Sequence, residues 1–111
     1  MTAAAASPGP SDALVLPAEL TIYTVGELHP QWLAWLGEAT RPGAEGLAEV
    51  QASAVDQIDA AGLQLLLSLQ RALSTHGRRH RIIGASRALV VGCAGLGLSG
   101  WLQNHSEEAI A

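Results

Sequence analysis

The sequence predicts an α/β domain, and three observations carry that prediction. Short runs of apolar and β-branched residues alternate with stretches whose apolar residues recur at helical spacing. The elements come in the order β-β-α-β-α-β-α-α, which implies a sheet covered by helices and joined by right-handed crossovers. The chain has 111 residues, of which 49% are apolar and 14% charged. That is enough to bury one core without staples, and too apolar for a disordered chain.

Residues 1–12 are Ala, Ser, Pro and Gly with one acid, and read as a disordered tail before a domain over 13–111. Ala13–Leu16 reads as a first strand. Pro17 and Ala18 interrupt it, and Leu20, Ile22 and Val25 resume the pattern among β-formers, so two short paired strands are expected. Thr24 and Glu27 have the spacing of a capping box. Val25, Leu28, Trp32, Trp35, Leu36 and Ala39 then follow at helical spacing up to the Arg41-Pro42-Gly43 stop. Pro30 removes a donor beyond the first turn, which allows a single turn first and a main helix from Pro30.

Leu47–Val55 fits a central strand, with Ile58 continuing the apolar pattern to Asp59. The clearest helix runs from Ala60 to about Thr75. Gln64, Ser68, Arg71 and Thr75 form a narrow polar stripe, Leu65, Leu66, Leu69, Ala72 and Leu73 face the other way, and Leu63 and Leu67 lie between. His76-Gly77 closes it. His80–Ile83 is the last strand. Ser86 caps a further helix with Leu89, Val90 and Cys93 inward. Gly95–Gly100 reads as irregular, and the Asn104 to Glu107 spacing opens a last short helix.

Composition excludes several function classes. Ten acids against six bases, all arginine, give a net charge of −4. Nucleic-acid binding needs the opposite balance. The single cysteine, Cys93, excludes an internal disulfide and a multi-cysteine metal site, and fits the reducing cytosol. The longest apolar stretch, Ala88–Leu98, carries three glycines and falls short of the roughly 20 residues of a membrane helix. The N-terminus has no basic residue and no unbroken apolar run, so it is not a secretory signal.

The densest signal is Val55-Asp56-Gln57-Ile58-Asp59-Ala60-Ala61-Gly62-Leu63, joining a strand to the most apolar helix. Asp59 stands where an N-cap belongs. Its carboxylate can accept from the free amides of the first turn and complements the helix dipole. Plain capping accounts for Asp59, and close packing for Gly62. Neither accounts for a first turn made only of Ala60, Ala61 and Gly62, whose bare backbone another protein or an anion can approach closely.

Ile58-Asp59-Ala60-Ala61-Gly62-Leu63 resembles the signature of the STAS domain (sulfate transporter and anti-sigma factor antagonist): a strand ending in Ile-Asp, a Ser or Thr, a small residue, Gly and a Leu-rich helix. Ala18–Thr24, His80–Gly84 and the helix after it are similar to the family too, so the resemblance covers roughly 13–110. It implies a small four- to five-stranded mixed sheet with helices packed mainly on one face. It also implies a cytoplasmic protein-interaction module, not an enzyme, with no cofactor. In phosphorylated members a partner kinase modifies the hydroxyl after the Asp, and the new charge breaks the complex. Here residue 60 is Ala, and Gln51 stands where the family often has Asp. The resemblance therefore implies a docking surface without the phosphoacceptor: Asp56, Gln57, Asp59, Ala60, Ala61, Leu63, Gln64 and Leu67. Ser53 reads as an ordinary strand-end serine.

The partners implied are histidine-kinase-like, anti-sigma or chemotaxis-type signalling proteins, and alternatively the ATPase of a lipid-transporting ABC system. The wording is most similar to the stand-alone members of chemotaxis-like operons. A small-ligand or anion binder, with Asp59 as base or the helix N-terminus as anion site, is the third reading, but no second catalytic group accompanies it.

The remaining constellations read as structural. His76–Arg81 is the one basic cluster, a solvated helix end or an acidic partner's landing patch. Trp32 and Trp35 read as a core edge. His29, His76, His80 and His105 lack metal-ligand spacing, because Gly77 breaks the helix that would align the 76/80 pair. Cys93 reads as an inert core thiol. The 92–97 glycines follow a helix and lack a P-loop ending, so they make no phosphate cradle.

Overall fold

A computed structural model describes residues 13–106. The tail expected over 1–12, and Glu107 with the residues after it, lie outside that range. Five short strands and four helices follow in order: β1 Leu14–Val15, β2 Glu19–Leu20, α1 Val25–Ala39, β3 Ala48–Gln51, β4 Gln57–Ile58, α2 Ala60–Thr75, β5 His80–Ile83, α3 Arg87–Gly95 and α4 Ser99–His105.

The strands form two small sheets, β1-β3-β5 and β2-β4. Every pairing is parallel: Leu14 opposite Val50, Val50 opposite Ile82, and Leu20 opposite Ile58. Parallel neighbours need a crossover between them, and α1 and α2 supply it. The mixed sheet expected from the resemblance is thus replaced, among the described residues, by parallel pairs. The first two strands also do not pair with each other. The turn at Pro17-Ala18 sends them to different sheets, where the Ala18 carbonyl takes the amides of Asp56 (2.8 Å) and Gln57 (3.0 Å). After α4 the chain returns to the sheet, and Ser106 bridges to Ile82.

α1 runs unbroken through Pro30. Gly26, whose carbonyl Pro30 cannot serve, is exposed, so the missing bond is not a buried one. The expected Thr24 capping box does not form. Thr24 Oγ1 accepts from the Thr21 amide (3.1 Å) and donates to the Glu19 carbonyl (3.0 Å), tightening the turn before the helix. α2 has the predicted bounds. Its C-terminus is a Schellman motif: Gly77, at φ +69°, donates to Ser74, and Arg78 donates to Leu73.

Ser86 caps α3 by accepting from the Leu89 amide (3.1 Å). Leu89 and Cys93 are buried, but Val90 is exposed, because nine residues of helix turn it past the core edge. Burial pushes the Cys93 thiol up, as an inert core position requires. Only residues 96–98 of the glycine-rich stretch are non-helical, and Asn104 lies in the last turn of α4 instead of opening a helix.

The core is built from Leu16 and Leu20 below the N-terminal strands, Leu63, Leu66 and Leu73 of α2, and Ile82 and Leu89. Trp32 is buried in it, while Trp35 and Trp101 pack against its edge. No helix among the described residues is long and apolar enough to cross a membrane.

Candidate functional site

The β4–α2 junction positions the site. Leu20 and Ile58 pair side by side, so the chain leaving β2 and the chain entering α2 run together. Asp59 locks them. Its amide donates to the Leu20 carbonyl (3.3 Å), its Oδ1 accepts from the Gly62 amide (3.0 Å) and its Oδ2 accepts from the Ile22 amide (3.0 Å). Gly62 fits so tightly against β2 that a Cβ there would stand 1.9 Å from the Leu20 carbonyl oxygen.

Asp59 therefore does more than cap. The Ile22 amide, then the Gly62 amide, hold its carboxyl below the ordinary value of 3.8, outweighing a small opposing effect of burial. The sign follows directly. A depressed carboxylate adds stability above its unfolded pKa of about 3.8 and loses it as pH falls through the folded value. Asp59→Asn is expected to lower the melting temperature at neutral pH and to flatten the acid limb of stability below about pH 4. Thermal melts over an acid pH series check both. An acid limb of unchanged steepness would show that Asp59 does not carry it.

With the Asp59 carboxylate turned inward, the first turn of α2 is left bare. Ala60 is exposed and Ala61 half-buried. Two depressions flank it. One, of about 260 Å³, lies between Ala60 and Leu96 of the α3 end. The other is an open groove of about 750 Å³ between α1 and α2, starting at Ile22 and Ala61. Ile22 and Leu96, which line these depressions, are 59% and 53% exposed, and Tyr23, next to Ile22 in the chain, is 88% exposed.

The predicted residues divide accordingly. Asp56, Gln57, Ala60 and Gln64 are exposed, and Asp59, Ala61 and Leu67 half-buried. Leu63 is the exception. It is 1% exposed and belongs to the core, while also lining the smaller depression beside Ala60. Ile22, Tyr23 and Leu96, which sequence reasoning did not assign to the site, are exposed near it. Thr21 and Thr24 flanking Ile22-Tyr23 were the available signal, since such pairs favour a turn over a strand. Gln51 ends β3, and its Oε1 accepts from the exposed Ser53 amide (3.1 Å).

The basic cluster is not a surface patch. Arg78 is buried and donates to the carbonyls of Ala39, Glu45 and Gly46. Arg81 pairs with Glu49 across β3–β5 (3.1 Å), and His76 Nδ1 is bonded to the Ala72 carbonyl (2.9 Å). An acidic partner would find only Arg79 free of a role in the fold. His80 instead stacks on His105 of α4, with centroids 5.6 Å apart, and burial, then the neighbouring His80, hold His105 below its usual value. No group of three or more His, Cys, Asp or Glu among the described residues could hold a metal.

A family model described as "Mlab, STAS domain" matches residues 3–103. No curated protein matches the chain.

Proposed function

The chain belongs to the STAS domain family, and from that premise we propose that it is a non-enzymatic docking module, cytoplasmic, meeting a kinase-like or chemotaxis-type signalling partner at the start of α2. The observation that carries this reading is the bare α2 turn between two depressions lined by exposed Ile22 and Leu96, with exposed Tyr23 next to Ile22. Exposed apolar side chains gathered at one place favour a protein contact. The geometry gives less support to the ligand reading. Both Asp59 oxygens are engaged by backbone amides, so the carboxylate is a poor base, and its charge already occupies the helix N-terminus that an anion would need.

Because residue 60 is Ala, no phosphate can be placed on that turn, and docking here is constitutive. Ala60→Glu imitates the missing charge. It is expected to weaken partner binding at least thirtyfold, roughly 2 kcal/mol, by leaving an unpaired carboxylate in the contact. The fold should be unaffected, because Ala60 is exposed and an acid is favoured in a first helical turn.

The experiment is capture on tagged wild-type and Ala60→Glu protein, followed by calorimetry with the purified partner. A histidine-kinase-like or anti-sigma protein lost in the variant supports the proposal. An ABC ATPase lost in the variant keeps the surface and changes the setting. Equal affinity for both proteins removes the α2 start from the contact.

A further inference from the structure

The α1–α2 groove is more than a border of the docking turn. It begins at Ile22 and Ala61 and continues along both helices, since the smaller hollow beyond it shares His29, Leu65 and Ser68 with the larger one and ends at Leu36. From Val25 to Leu36 on α1 its floor spans about 17 Å, at 1.5 Å rise per helical residue. That length suits a helix of about three turns.

The chemistry of the lining narrows the occupant. Val25 and Leu65 form a half-buried apolar strip along the groove, Leu33 is 52% exposed at its far rim, and Gln64 and Ser68 add neutral polar groups from α2. No Asp or Glu lines either hollow, although the chain carries ten acids and a net charge of −4. The titratable groups in it are His29 and Arg71. Arg71 is exposed and has no ion pair among the described residues. An acidic protein has thus kept a groove of mixed apolar and neutral polar lining free of acid, with an unpaired guanidinium on its α2 wall.

We propose that this groove takes an amphipathic helix of the docking partner, its apolar face on Val25 and Leu65 and a carboxylate against Arg71. The inference rests on the docking reading above and extends it from a contact turn to a class of partner segment. An apolar stripe at i, i+3, i+4 and i+7 supplies the affinity, and the Arg71 contact sets the preference for acidic helices.

The test uses the full chain and three synthetic helical peptides of about three turns. They share one Leu/Ile stripe and differ only in a polar face of Glu, Gln or Lys. Fluorescence anisotropy is expected to rank them Glu, Gln, Lys, with about tenfold between the extremes, or roughly 1.4 kcal/mol. Arg71→Gln should abolish the ranking and Arg71→Glu invert it, with circular-dichroism melts unchanged for this exposed site. Amide chemical-shift changes should fall on α1 and α2. No binding, binding without charge preference, or shifts elsewhere would overturn the proposal. So would sedimentation showing a dimer that the Glu peptide cannot dissociate, since a second copy would then be the occupant. The peptide readout does not involve position 60. A charge-ranked peptide response together with undiminished partner capture by Ala60→Glu would retire the α2-turn reading alone, and the reverse pattern would retire the groove alone.

Discussion

Gly62→Ala is expected to destabilise the protein by about 3 kcal/mol or more. One methyl group causes this. Built on the native backbone, the Cβ stands 1.9 Å from the Leu20 carbonyl oxygen, 2.5 Å from its carbon and 2.9 Å from Leu20 Cγ. A flexible side chain could swing away, but a backbone carbonyl cannot. That carbonyl also accepts from the Asp59 amide, and Leu20 is wholly buried and paired with Ile58. Relief means moving α2 off β2, which strains the Asp59 bonds to Leu20 and Ile22 together. Against this, Ala for Gly inside a helix usually gains about 1 kcal/mol. The clash wins because it is a backbone contact. Gly37→Ala in α1 isolates the propensity gain, since nothing lies within 4 Å of its added Cβ. For a domain of this size Gly62→Ala should lose more than about 10 °C in melting temperature, while Gly37→Ala should gain a few degrees. Urea titration of both variants decides it. A Gly62→Ala midpoint equal to wild type would mean the approach of α2 to β2 is looser than described.

The same contact shows what the residues made legible. The strand–Asp–small-turn–helix order was readable because every part of it is local: a cap, a bare turn and a Leu-rich face with a polar stripe. α2 and β5 have the expected bounds for that reason, with the Gly77 stop fixed by backbone geometry. Pairing partners are not local. Two short strands around Pro17 look like a hairpin in sequence, yet each buries its neighbour better against a strand some forty residues on. Thr24 illustrates a competition that spacing alone does not resolve, because a threonine two residues past a turn can bond backward as easily as forward.

The site was legible to a similar depth. Asp59 as cap followed from position, but its bond to Ile22 joins residues 37 apart and no local rule finds it. Leu63, between the two faces of α2, is almost wholly buried yet still lines the depression beside Ala60, which spacing alone does not resolve. Val90 went the other way, because α3 is short and only one side of it meets the core. The histidines read as unrelated in sequence, and the return of α4 to β5 stacks His80 on His105.

Arg78→Met is expected to cost about 3 kcal/mol although it keeps an apolar stem of similar reach to Nε. Arg78 is 7% exposed, and among the described residues it forms no ion pair. Its Nε donates to the Ala39 carbonyl (2.6 Å) and its Nη2 to Glu45 (3.1 Å), with Nη1 on Gly46. Ala39 is the last residue of α1, so its carbonyl is one of those that a helix end cannot satisfy internally, and a cation there is favoured by the dipole. One guanidinium thus ties the end of α1, the loop before β3 and the residue leaving α2. Met leaves the buried Ala39 carbonyl without its donor and releases the Glu45 and Gly46 carbonyls, and a buried acceptor without a partner costs more than its bond contributes. Lys offers a single ammonium in place of a planar fork and should recover only part of the loss. Arg79 is the discriminating control, since it is exposed and its neighbour is not. If the run 78–81 served as a basic patch, Arg79→Met and Arg78→Met would act alike, weakly on folding and strongly on binding. If Arg78 is a clamp, Arg79→Met should stay within about 0.5 kcal/mol of wild type while Arg78→Met loses a substantial part of a small domain's margin. Parallel urea melts separate the two, and matched midpoints for the pair would refute the clamp.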